Sequence, residues 1–226
     1  MNLPFKSPPG SLYRVGRNPS PWTPPDWANV LDDGTFGNRF DDSEGRFRVL
    51  YAGSSPLACF VETLAWYRKP LNIDELTAAL NSIENAAEEL VSIGKVPASW
   101  AARRMLGEAT ATRKRFADIY CAEWLSYLRQ RLEPGLMAKR FDASQDFDLA
   151  LLISQDRKLT QRIATIVYQL DYDGIFYQSR HGTDLCNWAL FEPFELAQVT
   201  FAPISTDDPN LLRALALLNL TLNPHL

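Results

Sequence analysis

Residues 46–66 read RFRVLYAGSSPLACFVETLAW, and this stretch predicts a strand that leads through a short turn into a helix. Arg46–Gly53 alternates and then becomes apolar, which is typical of a strand that is buried at its end. Ser55 and Pro56 are residue types favoured at the N-cap and the first position of a helix. The helix that follows has one apolar face, formed by Leu57, Val61, Leu64 and Ala65. This unit is the best-defined local structure in the N-terminal half of the chain.

Upstream of this unit the sequence predicts little regular structure. The first thirty residues are rich in proline, which favours an extended arm with one short strand at Leu12–Val15. Trp22 and Trp27 predict that the arm packs against the body of the protein. Asp32–Gly45 is rich in Gly and Asp and is interpreted as a long irregular loop.

Downstream, the pattern is helical from Asn72 to about Leu132, in two amphipathic runs, Asn72–Leu90 and Phe116–Leu128. The last third is mixed α/β. It is predicted to contain a helix, three strands and a final leucine-rich helix, at Asp156–Leu170, Gly174–Ser179, Asn187–Phe191, Gln198–Ile204 and Asn210–Leu220.

Composition excludes several classes of protein. The 226 residues are 46% hydrophobic and 22% charged, which fits one large globular domain or one domain with an elaboration. The net charge of −4 argues against a general binder of nucleic acid or anionic membranes. Three dispersed cysteines and two histidines offer neither a disulfide framework nor a Cys/His zinc site. The longest apolar runs fall short of the about 18 residues of a membrane span, so a soluble cytoplasmic protein is expected.

Four polar features each allow a structural and a functional interpretation. Arg39 is either a solvated loop arginine or an anchor for an anion, since guanidinium binds phosphate bidentately. Tyr51 is a core aromatic residue or part of a site, and Glu62 lies on the surface or faces inward for a functional reason. The turn Ser179–Gly182 lines a crevice or is a plain turn, and within it His181 is the sole plausible general base in the chain.

Taken together, several short segments closely resemble the RES domain family. They are Leu12–Val15, Asn38–Asp41, Val49–Ala52, Glu62–Thr63, Asp156–Arg157, Thr160–Gln161, Gly174–Gly182 and Ala189–Glu192. The family takes its name from an arginine, a glutamate and a serine, which correspond to Arg39, Glu62 and Ser179 in the right order. The resemblance covers about residues 12–66 and 150–200, roughly half of the chain.

This resemblance implies an α/β fold of the ADP-ribosyltransferase-like kind, with a mixed β-sheet core. Residues 1–226 are then a single RES domain with a mainly helical insertion at about 72–148. The implied activity is destruction of NAD⁺ at the nicotinamide–ribose bond, with water or phosphate as the acceptor. NAD⁺ is the substrate, and neither a cofactor nor a metal is implied. Small members of the family are toxins of RES–Xre pairs, so an Xre-type helix-turn-helix antitoxin is an implied partner.

The resemblance also implies which residues bind the nucleotide. Arg39 is expected to hold the pyrophosphate, with Arg14 or Arg180 as additional contacts. Tyr51 is expected to stack on the nicotinamide ring or to orient it. These four residues form the predicted NAD⁺-binding set.

The predicted catalytic set is Arg39, Tyr51, Glu62 and Ser179. Cleavage passes through an oxocarbenium-like state and releases neutral nicotinamide, so one carboxylate suffices where a glycosidase needs two. Glu62 is expected to engage the ribose hydroxyls and stabilise the positive charge, and Ser179 to fix the ribose or amide.

Other functions stay open at the sequence level. An ADP-ribosyltransferase that modifies a macromolecule would keep the fold and change the acceptor. A non-catalytic module that binds a nucleotide would keep only the pocket, and a generic α/β domain would have no site. The sequence leaves the oligomeric state open, a homo-oligomer included.

Overall fold

The computed structural model of the chain describes residues 3–68, 94–132, 147–154 and 156–223. The strands in these residues are β1 (Phe5–Lys6), β2 (Leu12–Arg17), β3 (Val49–Gly53), β4 (Lys95–Pro97), β5 (Arg104–Ala111), β6 (Phe116–Asp118), β7 (Gly174–Ser179), β8 (Gly182–Phe191), β9 (Leu196–Pro203) and β10 (Thr221–Asn223). The α-helices are α1 (Pro56–Leu64), α2 (Ala98–Ala102), α3 (Ala122–Arg131), α4 (Leu149–Ile153), α5 (Arg157–Gln169) and α6 (Pro209–Leu218), with 3₁₀ turns at Trp27–Asn29 and Ala65–Tyr67. The predicted mixed α/β fold is confirmed.

Eight strands form one mixed sheet in the order β1-β6-β7-β8-β3-β2-β5-β9. Neighbouring strands are antiparallel except β6 and β7, which are parallel. Strand β3 pairs with β8 along its whole length, so the N-terminal unit lies beside strands from the last third of the chain. A second, two-stranded sheet joins β4 and β10 in parallel.

Two groups of helices cover one face of the large sheet. The first group, α3, α4 and α5, packs in a hydrophobic cluster that includes Val49, Ile175 and Phe191. The second group, α1, α2 and α6, packs in a cluster that includes Val15 and Leu185. Because side chains alternate along a strand, the inward residues of β8 serve both clusters on the same face. The two helical clusters therefore meet over β8.

The N-terminal arm covers the opposite face. Trp22 is buried in a third cluster there, with side chains of β2, β3, β5, β7 and β8. The arm approaches closely because Gly107 has no side chain, since a Cβ there would lie 2.5 Å from Trp22 Nε1 and 2.7 Å from Pro21 Cγ. The predicted packing of the arm is confirmed at Trp22, which is 6% exposed, whereas Trp27 stays 39% exposed.

The strand–turn–helix unit forms as the sequence predicts. Ser55 is the N-cap of α1, its side chain accepts the N–H of Ala58 at 3.2 Å, and Pro56 occupies the first helical position. Leu57, Val61 and Leu64 are buried. The helix ends at Leu64, and Ala65 follows as its C-cap.

Part of the run that is predicted to be helical, from Asn72 to about Leu132, forms strands in the residues that the structure describes, and the mainly helical insertion at about 72–148 stays a prediction. Strand β5 lies inside the large sheet between β2 and β9, and Phe116 begins β6, so the second helical run starts only at Ala122. The face of β5 below Trp22 carries Gly107 and Ala109, so it lacks the large apolar side chains by which a strand is recognised. The predicted helix Asn72–Leu90 lies outside the described residues.

The last helix, α6, is capped by Asp208, whose carboxylate accepts the N–H groups of Asn210 and Leu211. It buries one face in the cluster with α1, while Leu212 and Leu217 on its other face are exposed. Among the helices of the described residues, none has the length and apolarity needed to cross a lipid bilayer.

Candidate active site

Polar side chains gather on the helix-covered face of the sheet where the two helical clusters meet. Tyr177 on β7 lies opposite Asn187 on β8, and Tyr51 on β3 lies opposite Ala189. Directly opposed residues project from the same face of a sheet, so Tyr51, Tyr177 and Asn187 share one side. Ser179 ends β7 just beyond this group, where the pairing with β8 becomes irregular between Gln178 and Ser179.

Glu62 reaches this polar group from α1. The side chain is half-buried, and its Oε1 accepts a hydrogen bond from Asn187 Nδ2 at 3.2 Å. Asn187 itself is only 2% exposed. Of the two interpretations of Glu62, the structure therefore supports the inward-facing one.

Arg39 lies on the other side of the group, in the loop before β3. Its Nη2 donates to the carbonyl of Leu152 in α4, and its guanidinium lies 5.1 Å from the ring centroid of Phe40 and 5.5 Å from that of Tyr177. Its Nε is buried and has no hydrogen-bond partner in the described residues. Buried N–H groups are normally paired, so this nitrogen is an open donor for an acceptor such as a phosphate oxygen.

A network around the Tyr51 hydroxyl holds this loop in place. The hydroxyl accepts the N–H of Phe40 at 2.8 Å and donates to Asp41 Oδ1 at 3.3 Å. The other oxygen of Asp41 accepts the N–H groups of Phe36 and Asn38, at 3.1 and 2.7 Å. Burial raises the pKa of Tyr51 well above its usual value, and the charge of Asp41 raises it further. The phenol is therefore neutral, and its hydroxyl is engaged by the loop.

Two more phenols lie in the electrostatic field of Glu62 and Arg39. Burial raises the pKa of Tyr177 well above its usual value, Glu62 raises it further, and Arg39 opposes both. Burial also raises the pKa of Tyr120, where Arg39 again lowers and Glu62 raises it. The site therefore places the neutral hydroxyls of Tyr120 and Tyr177 in the field of both the Glu62 carboxylate and the Arg39 guanidinium.

The turn after β7 carries the remaining predicted residues. Ser179 is 5% exposed, and its Oγ accepts the N–H of His181 at 3.0 Å, while its own proton has no acceptor among the residues that the structure describes. Arg180 is exposed. Partial burial lowers the pKa of His181, although the charge of Glu62 acts to raise it. The imidazole is therefore neutral at pH 7.

Arg14 is engaged with the protein itself. Strands β2 and β3 pair only at Tyr13 and Gly53, and the Arg14 side chain bridges the strands beyond that point. Its Nη1 donates to the carbonyl of Tyr51 at 2.6 Å and its Nε to that of Pro21 at 2.7 Å. Arg14 thus supports Tyr51, and its predicted contact with pyrophosphate stays a prediction.

The structure adds four side chains that sequence reasoning did not assign to the site: Asp41, Tyr120, Tyr177 and Asn187. Tyr177 could have been found, because it lies in the same predicted strand as Ser179, Gly174–Ser179. The contact of Asn187 with Glu62 depends on the pairing of strands that are distant in the sequence, so the sequence does not reveal it. Tyr120 lies in the run Phe116–Leu128, which the sequence predicts to be helical. Within the described ranges, no three His, Cys, Asp or Glu side chains are grouped so as to hold a metal ion.

One comparison with known proteins, that with protein families, agrees with the sequence motifs. The RES domain family matches residues 11–210 of the chain. Among solved structures, the chain is similar to the crystal structure of the M. tuberculosis MbcT–MbcA toxin–antitoxin complex, with 13% identity and a TM-score of 0.46 over 88% of this chain and 86% of that chain. No curated protein gives a significant match.

Proposed function

The chain belongs to the RES domain family, and on this premise we propose that it is an enzyme that degrades NAD⁺ by cleaving the nicotinamide–ribose bond. The main support is the arrangement of Glu62 and Arg39 around neutral phenols on one face of the sheet. A carboxylate suits the positive charge that develops on the ribose, and an open guanidinium suits the pyrophosphate.

The reaction requires one carboxylate and no proton donor. The bond from the ribose C1′ to the nicotinamide nitrogen breaks, and its electron pair stays on that nitrogen, which converts the pyridinium into neutral nicotinamide. Positive charge then develops on the ribose as an oxocarbenium-like species, which Glu62 stabilises electrostatically. Water adds to C1′ and releases a proton to give ADP-ribose, or phosphate adds to give the 1-phosphate.

The remaining residues bind and orient the substrate in this proposal. Arg39 offers its free Nε to the pyrophosphate, with Arg180 as a second cation at the exposed turn. Tyr51 presents its ring to the nicotinamide, because its hydroxyl is occupied by the loop. Ser179 donates its free proton to the ribose or the carboxamide.

The test is NAD⁺ consumption by the purified full-length chain. Wild type should consume NAD⁺, and Glu62→Ala and Glu62→Gln should be slower by about 10²–10³-fold, the usual effect of removing one such electrostatic contact. Glu195→Gln is a matched control, because Glu195 is 66% exposed and contacts Arg113 at the opposite end of the sheet. Product analysis with and without phosphate separates the glycohydrolase from the phosphorylase.

Three other results would overturn the proposal. Equal turnover by wild type and Glu62→Ala would remove the assigned role of the carboxylate. Attachment of ADP-ribose to a protein or nucleic acid would identify a macromolecular transferase. Saturable NAD⁺ binding without turnover would identify a non-catalytic nucleotide-binding module.

The proposal includes a cellular partner. Family membership supports a toxin that is neutralised by an Xre-type helix-turn-helix antitoxin. Expression of the wild-type chain in a bacterial host should deplete NAD⁺ and arrest growth, and Glu62→Gln should do neither. Co-expression of a helix-turn-helix protein encoded beside the gene should restore growth, and continued arrest would contradict this pairing.

A further inference from the structure

We propose that Asn187 is a positioning residue for Glu62: its side-chain amide holds one carboxylate oxygen and leaves the other facing the ribose. This inference rests on the proposed function of the site. Asn187 does not touch the substrate in this scheme, and acts through the carboxylate.

Asn187 is buried in the fold, so its side-chain amide needs a hydrogen-bond acceptor such as the Glu62 carboxylate. The residue is 2% exposed and lies within a buried run of β8, between Leu185 of one helical cluster and Ala189 of the other. A buried amide without a partner is costly, and the hydrogen bond to Glu62 at 3.2 Å satisfies one of its N–H groups. A carboxylate only accepts hydrogen bonds, so the amide must present its NH₂ group. The contact therefore joins α1 to the sheet where the clusters meet.

The amide orients the carboxylate without cancelling its charge. Within the described residues Glu62 forms no salt bridge, and its one hydrogen bond comes from the neutral Asn187. A lysine or arginine at this place would fix the carboxylate equally well but would oppose the positive charge that develops on the ribose. A neutral donor keeps the full negative charge available to the oxocarbenium-like state.

The first test is Asn187→Ala in the full-length chain. We expect kcat to fall by about 10–100-fold with KM changed less than about threefold, because a misplaced reacting group costs rate more than binding. Circular dichroism and Tm establish that the variant is folded. An unchanged kcat in a folded variant would overturn the proposal.

The second test, Asn187→Asp, separates positioning of the carboxylate from a purely structural role. The new carboxyl group has nearly the same shape but lies within hydrogen-bond distance of Glu62, and two carboxylates at this distance share a proton. The charge of Glu62 also acts on four other titratable side chains, those of Cys59, Tyr120, Tyr177 and His181. We expect the acidic limb of the kcat–pH profile to move to higher pH, with activity at pH 7 reduced by at least about tenfold.

Asp184→Asn is the matched control, because Asp184 lies on the same strand, is exposed and alters charge without touching Glu62. Its profile should superimpose on that of wild type. A profile of Asn187→Asp that also superimposes on wild type would overturn the proposal.

A measurement independent of turnover distinguishes this inference from the proposed function. In nitrogen-15 spectra, the side-chain NH₂ resonances of Asn187 should shift on Glu62→Gln, because the acceptor of their hydrogen bond changes. If they shift and wild type consumes no NAD⁺, the contact stands and the proposed function fails. If wild type is active and these resonances do not move, the positioning role fails alone.

Discussion

The Tyr177 hydroxyl is the polar group whose surroundings most favour a contact with substrate. The ring is 6% exposed and packs against Phe40 with centroids 5.2 Å apart, and it lies in the field of both Arg39 and Glu62. The hydroxyl forms no hydrogen bond with any part of the chain that the structure describes. We expect Tyr177→Phe to lower kcat/KM by about tenfold, the value of one hydrogen bond, with Tm nearly unchanged.

Tyr172→Phe is the matched control for this experiment. The Tyr172 hydroxyl is buried and donates to the carbonyl of Leu3 at 2.7 Å, away from Glu62. Its loss should lower the free energy of unfolding by about 1 kcal/mol and leave kcat/KM unchanged. Equal kcat/KM for Tyr177→Phe and wild type would show that the Tyr177 hydroxyl does not bind substrate.

At the residue scale, the sequence identifies side chains that belong to local motifs and misses those that depend on strand pairing. The sequence predicts Arg39, Tyr51, Glu62 and Ser179 as site residues, and the structure brings the first three into one network of charges and phenols. Asn187 was missed because nothing local marks an asparagine within a strand as the partner of a helix 125 residues away. Their catalytic roles stay a prediction until NAD⁺ turnover is measured.

At the element scale, the loop that carries Arg39 is tied to α5 as well as to Tyr51. Asp42 is buried, binds the Arg46 guanidinium at 2.8 Å and accepts a hydrogen bond from Thr165 in α5 at 3.1 Å. Burial acts to raise the pKa of Asp42, but the hydrogen bonds from Arg46 and Thr165 outweigh it, and the net pKa is lowered. The loop is therefore irregular in shape but firmly anchored.

The lowered pKa of Asp42 makes this anchor dependent on pH. A carboxyl group with a pKa lowered by folding stabilises the protein above its unfolded pKa of about 3.9, and the stabilisation is lost as the pH falls through the folded value. We expect Asp42→Asn to lower the free energy of unfolding by about 1–3 kcal/mol at pH 7. The difference from wild type should shrink below about pH 4, measured by urea unfolding. A difference that is constant from pH 7 to pH 3 would contradict this account.

Among the elements, β3 and α1 are predicted from the sequence, whereas β5 is not. The signals for β3 and α1 are local, namely an apolar strand, a capping serine and a proline, and the structure confirms both elements. Strand β5 is not predicted because its stability comes from its pairing with β2 and β9 and from the indole of Trp22, which packs over the small residues Gly107 and Ala109. Tertiary packing determines whether such a segment forms a strand, and a short stretch of sequence carries no information about that packing.

At the scale of the whole molecule, the candidate site joins the two helical clusters. Arg39 belongs to the loop anchored on α4 and α5, and Glu62 belongs to α1, which packs with α6. Between them, the hydrogen bond from Asn187 to Glu62 links the sheet to the second cluster. A ligand that contacts both Arg39 and Glu62 would therefore connect the clusters across the sheet.

With the proposed function, this arrangement predicts that global stability depends on NAD⁺. In the slow variant Glu62→Gln, NAD⁺ at about 100 times its Kd should stabilise the fold by about 2.7 kcal/mol, which corresponds to a rise in Tm of about 5–10 °C for a chain of this size. The added replacement Arg39→Ala should abolish the rise, because it removes the guanidinium that is proposed to bind the pyrophosphate. Differential scanning calorimetry of both variants measures the effect. Equal rises in Tm in the two variants would show that NAD⁺ binds elsewhere on the molecule and that Arg39 does not contribute to NAD⁺ binding.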